Sequence, residues 1–302
     1  MGLATTALRA QPVQADSTAL PGDNFSLEGA LEMFKKASSP EAFEQLLNKE
    51  ENSVNNLDLD EDGNTDYIRV VNKKQGDVQV FILQVSVSEK ESQDVAVIEL
   101  EKNGPEKAIL QITGDEDLYG EETIVEPTDE AAASETSLNA SPQRGPYDNT
   151  GEYNTFSSQA GIIVNVWGWP CVRFVYAPAY TVWVSPWGWA RRPVWFRPWR
   201  PLGWAAFRPV RYRYHHHYAV VHTRRVVRAR PIYRPVRVTS VTVRTRNQVA
   251  VNNYRTTRRT QTRTVTAPSG RRYQATRRTT TVQGANGRNA SRTTTTVRKK
   301  RS

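Results

Sequence analysis

Charge is divided along this chain far more completely than is usual for a globular surface, which normally mixes both signs. All 31 Asp and Glu residues fall between Asp16 and Glu152, whereas residues 153–302 hold 30 Lys and Arg and no carboxylate. With 11 Lys and Arg of its own, the first half carries a formal −20 and the second half +30. Unmixed charge repels itself when a chain compacts, so this division predicts one ordinary domain followed by an interaction region. A length of 302 residues allows about two domains, and only the first half has the composition of a packed one. The single cysteine, Cys171, excludes an intrachain disulfide and any multi-cysteine metal site.

Within the first half the apolar pattern predicts an α+β domain over residues 23–127. Ser26 precedes Leu27, Ala30, Leu31 and Phe34, an apolar stripe at helical spacing that ends near Lys36. Ser39-Pro40-Glu41 then supplies a cap, an early-turn proline and a carboxylate for a second helix with Phe43, Leu46 and Leu47 on its buried side. Together the two read as a helical hairpin. Beyond Asn56 the period becomes strand-like in Tyr67–Val71, Val78–Val87, Val95–Leu100 and Ala108–Ile112, with Glu122–Glu126 as a possible fifth strand. The short, turn-rich connections predict an antiparallel meander of 4–5 strands with the helices on one face.

Residues 1–22 read as a signal remnant or a disordered leader. Met1–Gln11 looks like the back end of a secretory signal with cleavage near Ala10, which predicts export to the periplasm or cell surface. Residues 128–158 are rich in Ser, Asn, Gly and Ala, lack apolar periodicity, and read as a linker. All eight tryptophans lie between Trp167 and Trp204, inside a Trp/Pro/Arg-rich, β-prone region at 159–235. There Pro170, Pro178 and Pro186 delimit Cys171–Ala177 and Ala179–Ser185, expected as short strands. Prolines, Asn165 and Arg173 oppose a membrane-spanning helix in that stretch. The low-complexity tail, 236–302, is expected to be disordered in isolation. The alternative is a set of β-hairpin repeats, since Arg258–Thr266, Arg277–Val282 and Arg292–Val297 form a loose repeat divided by Gly-containing segments.

Two constellations carry chemistry. Asp58-Leu-Asp60-Glu-Asp62-Gly63-Asn64-Thr-Asp66 resembles the DxDxDGxxD loop of EF-hand-like and integrin-type calcium sites. The resemblance implies Asp58, Asp60, Asp62, Asn64 and Asp66 as ligands to a structural Ca²⁺. At its twelfth position, where an EF-hand has a bidentate Glu, stands Arg69, so no EF-hand proper is expected. The second constellation is the interleaving of Arg with Trp and Tyr, which suits polyanions: cations meet phosphate or sulfate, and rings stack on bases or sugars. It marks Arg191, Arg192, Trp195, Arg197, Trp199, Arg200, Arg208, Arg211, Tyr212 and Arg213 as a binding set. His215-His216-His217 and His222 have no nearby Cys, Asp or Glu in sequence to complete a closed metal site. No catalytic motif is present, and the acidic residues read mostly as turn and strand-edge positions, so neither an enzyme nor a small-molecule substrate is expected.

The stretch from Leu20-Pro-Gly-Asp-Asn-Phe25 to Gly120, followed by the block Val164–Trp189, resembles an uncharacterised family of exported bacterial envelope proteins. Its members join a small acidic domain to a Trp/Pro/Arg-rich region. The resemblance implies export and a cell-envelope setting, and carries over no functional residue. The expected function is therefore non-catalytic binding of an anionic polymer or membrane surface, such as lipopolysaccharide, anionic lipid or extracellular DNA. Two alternatives stand beside it: self-assembly through pairing of the acidic and basic halves, and nucleic-acid binding if the chain stays in the cytoplasm.

Overall fold

Two capped helices begin the domain. In a computed structural model, which describes residues 17–128, 163–256, 258–266, 272–283 and 289–299, α1 spans Leu27–Lys36 and α2 spans Pro40–Leu47. The Gly29 N–H donates to Ser26 Oγ at 2.9 Å and the Ala42 N–H to Ser39 Oγ at 3.1 Å, satisfying amides that a helix start leaves unbonded. Phe34 of α1 packs edge-on to Phe43 of α2 at 5.1 Å and against Phe81 of the sheet at 5.0 Å. The leader call falls mostly, and the linker call almost wholly, outside the described residues.

Five strands follow as a meander: β1 (Ile68–Gln75), β2 (Val78–Ser86), β3 (Ser92–Gly104), β4 (Lys107–Gly114) and β5 (Thr123–Pro127). Each is antiparallel to its predecessor. Gln75 pairs with Val78 across a two-residue turn in which Gly76 has φ +57°, a conformation that a side chain resists. Between β4 and β5 lies a short helix not anticipated from the sequence, α3 (Glu116–Tyr119). A sixth strand, β6 (Tyr218–Val221), comes from the basic half and pairs with β5 in the register Val125↔Val220. The architecture is α+β, an antiparallel six-stranded sheet with helices.

Alternation along the strands gives the sheet two different faces. Phe81, Leu83, Ile98, Leu100, Leu110 and Ile112 point toward α1 and α2 and form the main core. Val78, Val80, Ile82 and Val97 point the other way, against Val226, Ala229 and Tyr233 of the second half. On β3, β4 and β5 that second face also carries Glu99, Gln111 and Glu126, all buried. Acidic residues are thus placed inside strands, and the expectation that they keep to turns and edges is corrected. The basic half supplies what such positions need, as the ion pairs below describe.

The second half departs from expectation in several places. Cys171–Ala177, expected as a strand, is the helix α4 (Pro170–Val175). Pro170 pre-sets its first-turn φ, and helical spacing buries Cys171, Val172 and Val175 while Arg173 and Phe174 face outward. Burial against α1 and α2 outweighs the β preference of its valines. Of Ala179–Ser185 only Val184 forms a bridge, to Val71, as the segment runs along the outer edge of β1. Helices α5 (Trp204–Arg211), α6 (Arg230–Tyr233) and α7 (Val241–Thr256) follow. Within the tail, β7 (Arg258–Thr266), β8 (Arg272–Gln283) and β9 (Asn289–Lys299) pair as an antiparallel sheet of their own, the arrangement of the hairpin-repeat alternative. Its Thr and Val content favours strands, and pairing satisfies the backbone groups. Among the described residues no helix is long and apolar enough to cross a membrane.

Candidate functional site

The acidic loop lies just before β1. The Asp62 N–H donates to Asp58 Oδ1 and Asp60 Oδ1, both at 3.1 Å, and the Gly63 N–H to Asp58 Oδ2 at 3.1 Å. Gly63 sits at φ +83°, where the turn requires glycine. These contacts gather carboxylate oxygens of Asp58, Asp60 and Asp66 to within 4.8 Å of one another. Asp62 lies outside that group, its carboxylate accepting the Asn64 N–H at 2.8 Å, and both Asp62 and Asn64 are exposed.

Asp66 is 2% exposed, and burial pushes its carboxyl up to about 8. The Leu59 N–H opposes that rise, while the charges of Asp60 and Asp58 add to it. Asp60 is raised too, by desolvation and by its acidic neighbours. Carboxylate oxygens of Asp58, Asp60 and Asp66 at this range could hold a metal ion, whose charge would offset both effects.

Both sides of the loop are held by the basic half. The Thr65 N–H donates to Trp199 O at 2.7 Å, and Tyr67 packs against Phe196 at 4.9 Å and Trp195 at 6.1 Å. On the other side Arg246 Nη1 donates to Leu59 O at 2.9 Å. Arg69, at the loop's twelfth position, reaches away to Trp187 O at 3.5 Å.

The predicted arginine and aromatic residues fall into two groups. Arg191, Arg192, Trp195, Arg197, Trp199 and Arg200 occupy one irregular segment beside the loop. Arg191 donates to Pro186 O at 2.8 Å and lies over the Trp187 ring, Arg192 lies over Phe196, and Arg197 donates to Val194 O and Phe196 O. Among the described residues Arg191, Arg192, Arg197 and Arg200 make no ion pair. The second group surrounds α5. Arg208 stacks on Tyr212, Arg211 donates to Asp23 O at 2.6 Å, and Arg213 donates to the carbonyls of Glu51 and Asn52. Arg211 and Arg213 thus act partly as fasteners to the acidic half.

Sequence reasoning missed a third set, which forms a strap across the second sheet face. Arg224 pairs with Glu99 and Glu122, Arg225 with Glu126, Arg228 with Glu101, and Arg237 with Asp115 and Asp117. Glu122 also receives Arg230 and Arg234, and Asp117 receives Arg244. Asp94 accepts from Gln84, the Val238 N–H and Tyr233, and burial still pushes it up to about 6. A detectable signal existed: Glu99 and Glu101 alternate with Ile98 and Leu100, so their side chains had to meet cations on the opposite face.

A separate polar anchor fixes the Trp-rich block. Glu44, buried on α2, accepts from Tyr67 Oη at 2.7 Å, the Val70 N–H at 2.8 Å, Ser185 Oγ at 2.8 Å and Trp183 Nε1 at 3.3 Å. His215 Nδ1 lies 3.7 Å from Glu28, and among the described residues the histidines join no metal-binding group. Cys171 is buried, which raises its thiol well above the usual range. Compared with protein-family models, with curated proteins and with solved structures, the chain gives no match.

Proposed function

We propose that this chain is a non-catalytic, exported envelope protein that binds polyanions through the arginine and aromatic side chains of residues 191–213. Lipopolysaccharide, anionic lipid and extracellular DNA are the ligand classes. The observation that carries the reading is the unequal use of the arginines. Those of the strap are committed to carboxylates, whereas Arg191, Arg192, Arg197 and Arg200 make no ion pair among the described residues. Guanidinium groups stacked on Trp187 and Phe196 are held in place before a ligand arrives, which lowers the entropic cost of binding. Export rests on the signal-like leader, and sequencing the N-terminus of the mature protein tests it.

The test is a salt series on the full chain with each ligand class, comparing wild type with Arg191→Gln/Arg192→Gln/Arg197→Gln/Arg200→Gln. Losing four phosphate contacts should flatten the log–log salt slope by about 3 units. The control Arg228→Gln/Arg234→Gln, on the strap, should bind as wild type does. A fourfold variant with unchanged slope, or salt-insensitive binding by wild type, would refute the mechanism. The loop at Asp58, Asp60 and Asp66 is proposed to hold one structural Ca²⁺. Thermal unfolding with Ca²⁺ or with a chelator, on wild type and Asp60→Asn, tests that: the ion should raise the wild-type transition alone.

A second reading is favoured by the strap's ion pairs. The same pairs formed between two chains would make a self-associating protein. Sedimentation that is independent of concentration would remove that reading.

A further inference from the structure

We infer that the partner of the arginine–tryptophan segment is an anionic lipid surface, entered shallowly by the apolar side chains standing between the arginines; this rests on the polyanion reading above. Val194 is 86% exposed, Val184 54%, Leu202 44%, Trp195 43% and Trp189 40%. No large apolar side chain between residues 17 and 128 is comparably exposed, so water-facing apolar surface belongs to the same half as the unpaired cations. Phosphate attraction and base stacking use Arg and Trp, but they give aliphatic Val184, Val194 and Leu202 nothing. The boundary of a bilayer gives all three residue types a place. Aliphatic groups leave water, tryptophan settles at headgroup depth, and arginine meets lipid phosphate.

The way the segment is fastened limits how deep it goes. Its backbone is tied to the acidic half by the Ser185 N–H to Val70 O, by the Thr65 N–H to Trp199 O, and at Leu202. The Leu202 tie is reciprocal: the Leu202 N–H donates to Asn56 Oδ1 at 2.7 Å, and Asn56 Nδ2 donates to Leu202 O at 2.9 Å. Irregular backbone cannot lie in hydrocarbon, so only the side chains projecting between these ties enter the lipid. Arg191, Arg192, Arg197 and Arg200, which make no ion pair among the described residues, are left for headgroup contact. The same arginines repel this surface on a second copy, so charge favours lipid over self-pairing here.

The experiment uses the full chain, with vesicles of phosphatidylcholine alone or mixed with phosphatidylglycerol, and duplex DNA in the same buffer. Wild type should sediment with the anionic vesicles and not with the neutral ones. Val194→Ser/Leu202→Ser should lose about tenfold or more of its vesicle partition while DNA affinity stays within about twofold. Val194→Ser alone, at the most exposed position, should show a smaller loss of the same kind with an unchanged circular dichroism spectrum. Vesicle binding that the double variant retains, or a parallel loss of DNA and vesicle binding, overturns the inference. So does self-association of wild type that Val194→Ser relieves. Wild type binding DNA but no vesicles overturns the lipid assignment and leaves the polyanion reading standing. Binding to neither overturns the lipid assignment, and the polyanion reading falls with it if lipopolysaccharide in the same buffer is not bound either.

Discussion

Arg224 should be the most costly charge to remove from the strap. Its partner Glu99 has a side chain 1% exposed, and Arg224 itself is 12% exposed, so the pair lies away from water. Without the guanidinium, Glu99 keeps only a long contact from Thr113 Oγ1 at 3.4 Å. Stranding a buried charge in this way costs about 3–5 kcal/mol, against under about 1 kcal/mol for an exposed pair. Arg246 and Glu61, at 36% and 66% exposure, provide the exposed comparison. Burial already pushes the Glu99 carboxyl upward, and losing Arg224 pushes it further. A raised carboxyl stabilises the fold at low pH and loses that contribution as pH rises through its folded value. The Arg224→Ala penalty should therefore be greatest above neutral pH and shrink in mild acid, where Glu99 takes up a proton. Urea unfolding at the two pH values, for Arg224→Ala, Glu99→Gln and the double variant, measures this. The Arg224 penalty should fall to about 1 kcal/mol in the Glu99→Gln background, where a neutral amide replaces the stranded charge. An Arg224→Ala loss under about 0.5 kcal/mol above neutral pH, or equal losses in both backgrounds, would refute the reasoning.

Three further outcomes are expected. Glu44→Ala leaves Tyr67 Oη, the Val70 N–H and Ser185 Oγ without their shared acceptor, and should cost about 3 kcal/mol and weaken the near-ultraviolet circular dichroism of the Trp block. An unchanged spectrum would show that Glu44 does not fix that block. Gly114→Ala places a Cβ 2.6 Å from the Tyr119 ring and should destabilise by about 1–3 kcal/mol in thermal unfolding; a wild-type transition would mean that Tyr119 moves aside freely. Burial raises Asp94 from 3.8 to about 6, so its contribution to stability declines as pH rises through that interval. Asp94→Asn should flatten the decline, and an unaltered pH profile would assign it to other groups.

Local features carried most of the first half. The caps at Ser26 and Ser39 use side chains within three residues of the amides they bind, and the turn at Gly76 joins adjacent strands, so neighbours in sequence announce them. The same holds for the acidic loop, where Asp58, Asp60 and Asp66 converge. What escaped was non-local. β6 has four residues and owes its conformation to the open edge of β5, some ninety positions earlier. The helix α4 carries valines that favour strands, and only its buried side explains it. Strap arginines and the arginines of residues 191–200 sit in similar local sequence; opposing carboxylates, not their own sequence, distinguish Arg224 from Arg200.

The union of β5 with β6 and the burial of Glu99 beneath Arg224 make each half the missing surface of the other. Residues 17–128 alone would present an unpaired strand edge and a field of stranded carboxylates, and the second half alone would lack the β1–β5 face on which Val226, Ala229 and Tyr233 pack. In this sense the two halves behave as the complementary partners of a heterodimer carried on one chain. Co-expressed as separate polypeptides, residues 17–128 and 163–302 would be expected to associate through these same contacts.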